Sequence, residues 1–168
     1  MGSFTKLKQL LEDKRAFALI CHVEPDGDAV GSMIAMGRAL EKNGKNVTYI
    51  CKDLVPSVFN FLTEDRTIET ELDTNQYDGI LLIDNGDFRR TGFVAELEKA
   101  KCKNVIIANI DHHPKNDLWK FASINYADEK ASSSDEISYK LLTGLEYEID
   151  ARIANCLLAG IFYDTGGF

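Results

Sequence analysis

Four stretches of this sequence hold residue types that could do chemistry together. They are HVEPDGDAVGS from His22, LLIDNGD ending in Asp84 and Asp87, DHHP from Asp111, and GIFYDTGGF carrying Asp164. The first three contain all three histidines of the chain. Neutral imidazoles and carboxylates together suit Mn²⁺ or a similar divalent ion. Two such ions about 3.5–4 Å apart can share one carboxylate, clamp a phosphoryl group and activate a bridging water near neutral pH. Carboxylates packed this densely repel one another unless cations offset them.

Each stretch also has an ordinary reading. Asp-Gly-Asp is commonly a turn, and Asp28 could cap a helix starting at Ala29. A His-His pair in a loop is commonly solvated, and Asp164 before Thr-Gly could mark a helix stop. Four such coincidences would have to bring every histidine to the same place. An EF-hand starting at Asp26 fails, because Val30 stands where an oxygen ligand belongs and Gly37 where the closing Glu belongs. HExxH, GxxxxGK[ST], GxGxxG and G-x-S-x-G are all absent. A Cys21 nucleophile beside His22 conflicts with its place at the end of an apolar run.

Stepping outward along the chain, buried strands precede three of the stretches. AFALIC (16–21), GILLI (79–83) and NVIIANI (104–110) are apolar runs of strand length, and VTYIC (47–51) and FASIN (121–125) complete five. Helical patterning covers 4–14, 28–43, 91–100, about 135–143 and 150 to about 163. Asn43-Gly44 forms a C-cap, and Ser132 to Ser134 with Glu136 read as a capping box. Strands without polar alternation, separated by helices, predict an α/β fold with a doubly wound, mostly parallel five-stranded sheet covered on both faces. Ligands in such sheets bind beyond the carboxyl ends of the strands. That edge is where His22, Asp84 and Asp111 fall.

The chain has 168 residues, 45% of them hydrophobic, which suits one ordinary domain. It carries 19 basic and 27 acidic side chains, net −8. That acidity argues against sequence-independent binding of duplex nucleic acid. It permits a small anionic substrate held in one pocket. No apolar run reaches membrane-spanning length, and Met1 to Leu11 lacks the apolar region of a signal peptide. Cys21, Cys51, Cys102 and Cys156 form no CxxC pair and read as reduced, buried cysteines of a cytoplasmic protein.

The four motifs, in this order, resemble those of the DHH phosphoesterase superfamily. They look most like its branch of short-oligoribonuclease and 3′-phosphoadenosine-5′-phosphate phosphatase enzymes, and the resemblance covers nearly the whole chain. It implies two Mn²⁺, with Mg²⁺ or Co²⁺ as substitutes. One would be held by His22, Asp26 and Asp84. The second would be held by Asp28, Asp84, His112 and Asp164. His113 would meet the substrate phosphate and leaving group, and Asp111 would orient an imidazole. Arg90 matches a family arginine after the second motif, and both a place near substrate and a structural role stay open. Asn85 departs from the more usual Thr or Ser after the bridging Asp.

The implied activity is attack of a metal-bridging hydroxide on a phosphoester of a short oligoribonucleotide or of 3′-phosphoadenosine-5′-phosphate. Alternatives with the same chemistry are a cyclic- or linear-dinucleotide phosphodiesterase and a family II inorganic pyrophosphatase. A metal-binding scaffold or interaction module is the non-enzyme alternative. Residues 1–168 would be the DHH catalytic domain, without the second, C-terminal substrate-binding domain that family members carry. The branch often forms homodimers through this domain, which stays open here against a monomer.

Overall fold

A computed structural model describes residues 2–64 and 66–167. The chain alternates helices and strands: α1 (Ser3–Asp13), β1 (Ala16–Ile20), α2 (Gly27–Lys42), β2 (Asn46–Ile50), α3 (Asn60–Thr63) and β3 (Ile68–Glu69). It continues with β4 (Gly79–Ile83), α4 (Val94–Cys102), β5 (Ile106–Asp111), α5 (Leu118–Phe121), β6 (Ile124–Ala127), α6 (Ser134–Gly144) and α7 (Ala151–Thr165). The sheet is wholly parallel, in the order β3-β2-β1-β4-β5-β6.

The expected sheet of five strands therefore has six. The extra strand pairs only Ile68 with Tyr49 and Glu69 with Ile50. Two residues are too few to show any hydrophobic period. The last strand also shifts from the expected 121–125 to Ile124–Ala127, because Leu118–Phe121 close one helical turn first. The helix expected from residue 91 starts at Val94, after a 3₁₀ turn over Arg89–Thr91 ended by Gly92 at φ 74°.

Parallel strands buried on both faces divide their side chains by alternation. Phe17, Leu19 and Cys21 point to one core with Leu81, Ile83 and Ile110, under α1, α2, α6 and α7. Ala18, Ile20, Ile80 and Leu82 point to the other, under Phe93 just before α4, Leu97 of α4 and Leu118 of α5. From Gly27 to Leu40, α2 is buried on every side, which is why its sequence is apolar around much of its circumference. Close approach is needed on this helix. A Cβ at Gly37 would run into the Tyr49 ring, and one at Gly31 would lie 2.7 Å from the Cys156 carbonyl oxygen.

Cys21, Cys51 and Cys156 are buried, whereas Cys102 is exposed at the end of α4, contrary to the expectation that all four are buried. Among the described residues, no helix is long and apolar enough to cross a membrane.

Strand order reverses between β1 and β4, where one chain direction of winding gives way to the other. In sheets of this kind the loops leaving such strands diverge and open a crevice at the carboxyl edge. Asn85 stitches that edge together: its Nδ2 donates to the carbonyls of Ile20 (2.9 Å) and Ile83 (3.0 Å).

Candidate metal centre

Each side chain of the crevice is set by the element that carries it. β1 runs straight into His22, which is buried. Its Nδ1–H donates to the Val23 carbonyl at 2.7 Å. That bond orients the ring so that Nε2 faces the carboxylates of Asp26 and Asp84. Asp26 is the N-cap of α2: its Oδ1 accepts from the N–H groups of Asp28 and Ala29. The cap is thus Asp26, two residues earlier than Asp28, and the helix begins at Gly27. Capping occupies Oδ1, and Oδ2 lies 3.8 Å from His22 Nε2.

Asp84 follows β4 with φ 57°, a left-handed conformation that an L-residue adopts at a cost of about 1–3 kcal/mol. This backbone turns its carboxylate into the middle of the group. Oδ2 is 3.6 Å from His22 Nε2, and Oδ1 is 3.5 Å from His112 Nε2. His112 Nε2 also lies 3.8 Å from Asp28 Oδ2 and 3.3 Å from Asp164 Oδ2. Asp164 comes from the last turn of α7, which ends on Gly166 at φ 68°.

His113 faces Asp84 as well, its Nδ1 3.5 Å from Asp84 Oδ1, but is held by a second carboxylate. Its Nδ1–H donates to Asp111 Oδ1 at 2.7 Å, and its backbone N–H reaches the same oxygen at 3.0 Å. Asp111 Oδ2 accepts from the Gly86 N–H at 3.1 Å, so one carboxylate ties the β4 and β5 loops. Arg90 sits beside this histidine. A Cβ on Gly86 would fall 2.8 Å from Arg90 Nη1 and 3.3 Å from the His113 ring. The Arg90 carbonyl accepts from Val23 N–H, linking the β1 and β4 loops.

Electrostatics follow from this crowding. Burial, and then the charges of Asp28 and Asp111, push the Asp84 carboxyl well above its usual range. Burial also raises Asp28, against the N–H bonds from Asp135 and Ser134. Asp164 is pushed up to about 6 by burial and by Asp28. His113 is raised by its bond to Asp111. Burial works against ionisation of Asp111, but the His113 bonds outweigh it and hold this carboxyl below its ordinary value. Carboxylates that resist ionisation for want of positive charge are a fit for cations.

The donor atoms fall into compact groups: His22, Asp26 and Asp84; Asp28, His112 and Asp164; and Asp84, His112 and His113, each within 4.8 Å. Nitrogen and carboxylate oxygen are the donors Mn²⁺ and related ions accept. Asp84 belongs to two of the groups and offers a different oxygen to each side.

Two residues outside the sequence expectation enter the site. Ser134 Oγ–H donates to Asp84 Oδ1 at 2.9 Å, and its N–H donates to Asp28 Oδ2 at 2.6 Å. Asp135 N–H donates to Asp28 Oδ1 at 2.9 Å. These are the first amides of α6, where a helix favours an anion. The Ser-Ser-Ser run signals a helix start, and Ser133 does cap α6 by accepting from Glu136 N–H. Which serine also reaches across the fold is invisible in the run itself.

Residues 16–161 match the model of the DHH family, N-terminal domain. The chain belongs to the DHH family. It is 29% identical over 154 residues to the bifunctional oligoribonuclease and PAP phosphatase NrnA of Thermus thermophilus, covering 88% of this chain and 42% of that protein. It is 26% identical over 148 residues to a probable manganese-dependent inorganic pyrophosphatase of Staphylococcus haemolyticus, covering 86% of this chain and 46% of that one. The crystal structure of an exopolyphosphatase-related protein from Bacteroides fragilis has the same fold, with a TM-score of 0.86 at 24% identity. That match covers 99% of this chain and 51% of the other. The DHH chain described here therefore spans about half the length of the relatives it matches.

Proposed function

We propose that residues 1–168 act as the catalytic domain of a divalent-metal phosphoesterase whose substrates are short oligoribonucleotides, 3′-phosphoadenosine-5′-phosphate, or both. One observation carries this reading. Asp84 turns Oδ2 toward His22, in one group with Asp26, and Oδ1 toward His112, whose Nε2 also lies 3.8 Å from Asp28 Oδ2 and 3.3 Å from Asp164 Oδ2. A carboxylate divided in this way between two ligand groups is what a pair of cations sharing a bridge requires. The likeness to an oligoribonuclease and PAP phosphatase supports the choice of substrates.

In this reading His22, Asp26 and Asp84 would hold one Mn²⁺, and Asp28, Asp84, His112 and Asp164 would hold the other. The ions would supply charge neutralisation at the phosphoryl group and a nucleophilic water near neutral pH. His113 binds the substrate phosphate and holds a proton for the leaving oxygen. Asp111 orients that imidazole and favours its protonated form. Arg90, close to His113, offers a second positive charge to the phosphate.

The test is a substrate panel with Mn²⁺, containing di- to pentanucleotides, 3′-phosphoadenosine-5′-phosphate, linear and cyclic dinucleotides, and pyrophosphate. Mn²⁺-dependent release of mononucleotides or phosphate from the first two classes is expected, and it should stop with chelator. A second reading rests on the manganese-dependent pyrophosphatase relative. Turnover of pyrophosphate alone would move the assignment there. Tight Mn²⁺ binding without turnover of any member would favour a metal-binding scaffold.

A further inference from the structure

A carboxylate that serves two cations has a harder task than an ordinary ligand. Its plane must be set so that each oxygen faces its own group. Asp84 has two side-chain torsions, and the outer one is intrinsically broad. Left free, the carboxylate would lose that torsional freedom on each binding event.

The restraint comes from another element. Ser134 Oγ–H donates to Asp84 Oδ1 at 2.9 Å, and both residues are buried. Pinning Oδ1 leaves Oδ2 at 3.6 Å from His22 Nε2. The same residue's N–H holds Asp28 Oδ2 at 2.6 Å, and Asp135 N–H holds Asp28 Oδ1 at 2.9 Å. Ser134 is thus bonded to one carboxylate through its side chain and to another through its backbone. It lies 50 residues from Asp84 and 106 from Asp28 in sequence.

The mounting of Ser134 is itself rigid. It is the first residue of the 11-residue α6, and Ser133 caps that helix. Next to it, the Asp135 carboxyl enters the crossing of α2 and α7. A Cβ at Gly31 would lie 2.5 Å from Asp135 Oδ2, and one at Gly160 would overlap that oxygen. Glycines at both positions make the room that lets the start of α6 seat against Asp28.

We propose that Ser134 is the positioning residue of the metal centre, presetting Asp84 as a bridge and Asp28 as a ligand before any cation arrives. This rests on the two-cation reading of the site. The role is separate from ligation: Ser134 touches carboxylates and would not touch the ions.

The experiment is calorimetric titration of the 168-residue chain with Mn²⁺ alone, for wild type, Ser134→Ala and Ser134→Thr, with melting of each metal-free protein measured alongside. Ser134→Ala keeps the backbone bond to Asp28 and removes the hydroxyl. It should weaken Mn²⁺ binding about 10–100-fold, the usual effect of losing a group that orients a ligand. Ser134→Thr keeps the hydroxyl and should return affinity to within a few-fold of wild type. Should Ser134→Ala not fold, Ser134→Cys keeps the shape with a weaker donor and should show a smaller loss in the same direction. Unchanged Mn²⁺ affinity in Ser134→Ala or Ser134→Cys overturns the inference, even if the metal-free protein melts lower, and so does a Thr variant as weak as Ala. A wild-type chain that binds no Mn²⁺ overturns the two-cation reading itself, an outcome distinct from either of these.

Discussion

Asp111 grips His113 twice through one oxygen, from the imidazole Nδ1–H at 2.7 Å and from the backbone N–H at 3.0 Å. The pair is half of a longer tie, since the other Asp111 oxygen accepts from Gly86 at the β4 loop. Two loops and one proton therefore depend on a single carboxylate.

Replacing Asp111 by Asn keeps the shape and removes the charge. The bond to Asp111 is the largest influence raising His113. In Asp111→Asn the His113 pKa should fall, as followed by NMR titration of its ring protons in metal-free protein. Phosphoester turnover should fall about 10–100-fold with it. A His113 titration unmoved by the change would refute the link between this pair and the proton on the imidazole.

Asp84→Ala removes the one carboxylate divided between the two ligand groups. On the proposed two-cation reading, binding of both Mn²⁺ ions should weaken, and activity should drop below detection. Metal-free protein should not lose stability in proportion, because burial opposes the charge of this carboxyl. Near wild-type Mn²⁺-dependent activity in this variant would contradict the bridging role.

Stability should depend on pH in opposite ways without and with metal. Asp164 is raised from 3.8 to about 6, and Asp28 and Asp84 are raised too. Groups raised in the folded state bind protons better there than in the unfolded chain. Their contribution is fully present below 3.8 and is lost as pH climbs through the folded values, about 6 for Asp164. The raised His113 acts in the same direction above its ordinary 6.5. Metal-free melting temperature should therefore fall as pH rises from 3.8 through about 6. Mn²⁺ needs the same carboxylates ionised, so its stabilisation should grow over that range, reaching about 2.7 kcal/mol at a hundred times its Kd. Parallel melting curves in chelator and in Mn²⁺ check both slopes.

Gly160→Ala tests the helix crossing beneath the site. The added carbon would overlap Asp135 Oδ2 and come within 2.9 Å of Asp28 Oδ1, where the buried helices leave little room to yield. A loss of about 1–3 kcal/mol in denaturant unfolding is expected. A methyl group tolerated at no cost would mean that the α2–α7 crossing is looser than these contacts indicate.

Much of this molecule is legible in its residues. Apolar runs such as Ala16–Ile20 and Gly79–Ile83 mark buried parallel strands, because nothing but two covered faces can accommodate them. Once the strands are placed, the rule that chemistry sits at their carboxyl ends singles out His22, Asp84 and Asp111. What could not be read is equally specific. Ile68–Glu69 pairs too briefly to leave a pattern, and the shift of the α2 cap to Asp26 depends on backbone angles at the turn. Cys102 reads like the other cysteines but lies on the outer side of α4.

The sequence alone determined the types of donor atom, their order along the chain and the sheet edge that gathers them, because hydrophobic periodicity and strand ends are local properties. Only the tertiary structure decided that Asp84 divides its oxygens between two groups, that Ser134 pins it from α6, and that Gly31 and Gly160 make room for Asp135. Those facts depend on side-chain torsions and on contacts between segments 50 to more than 100 residues apart. Such contacts exist only once the helices have packed, and no local pattern encodes them.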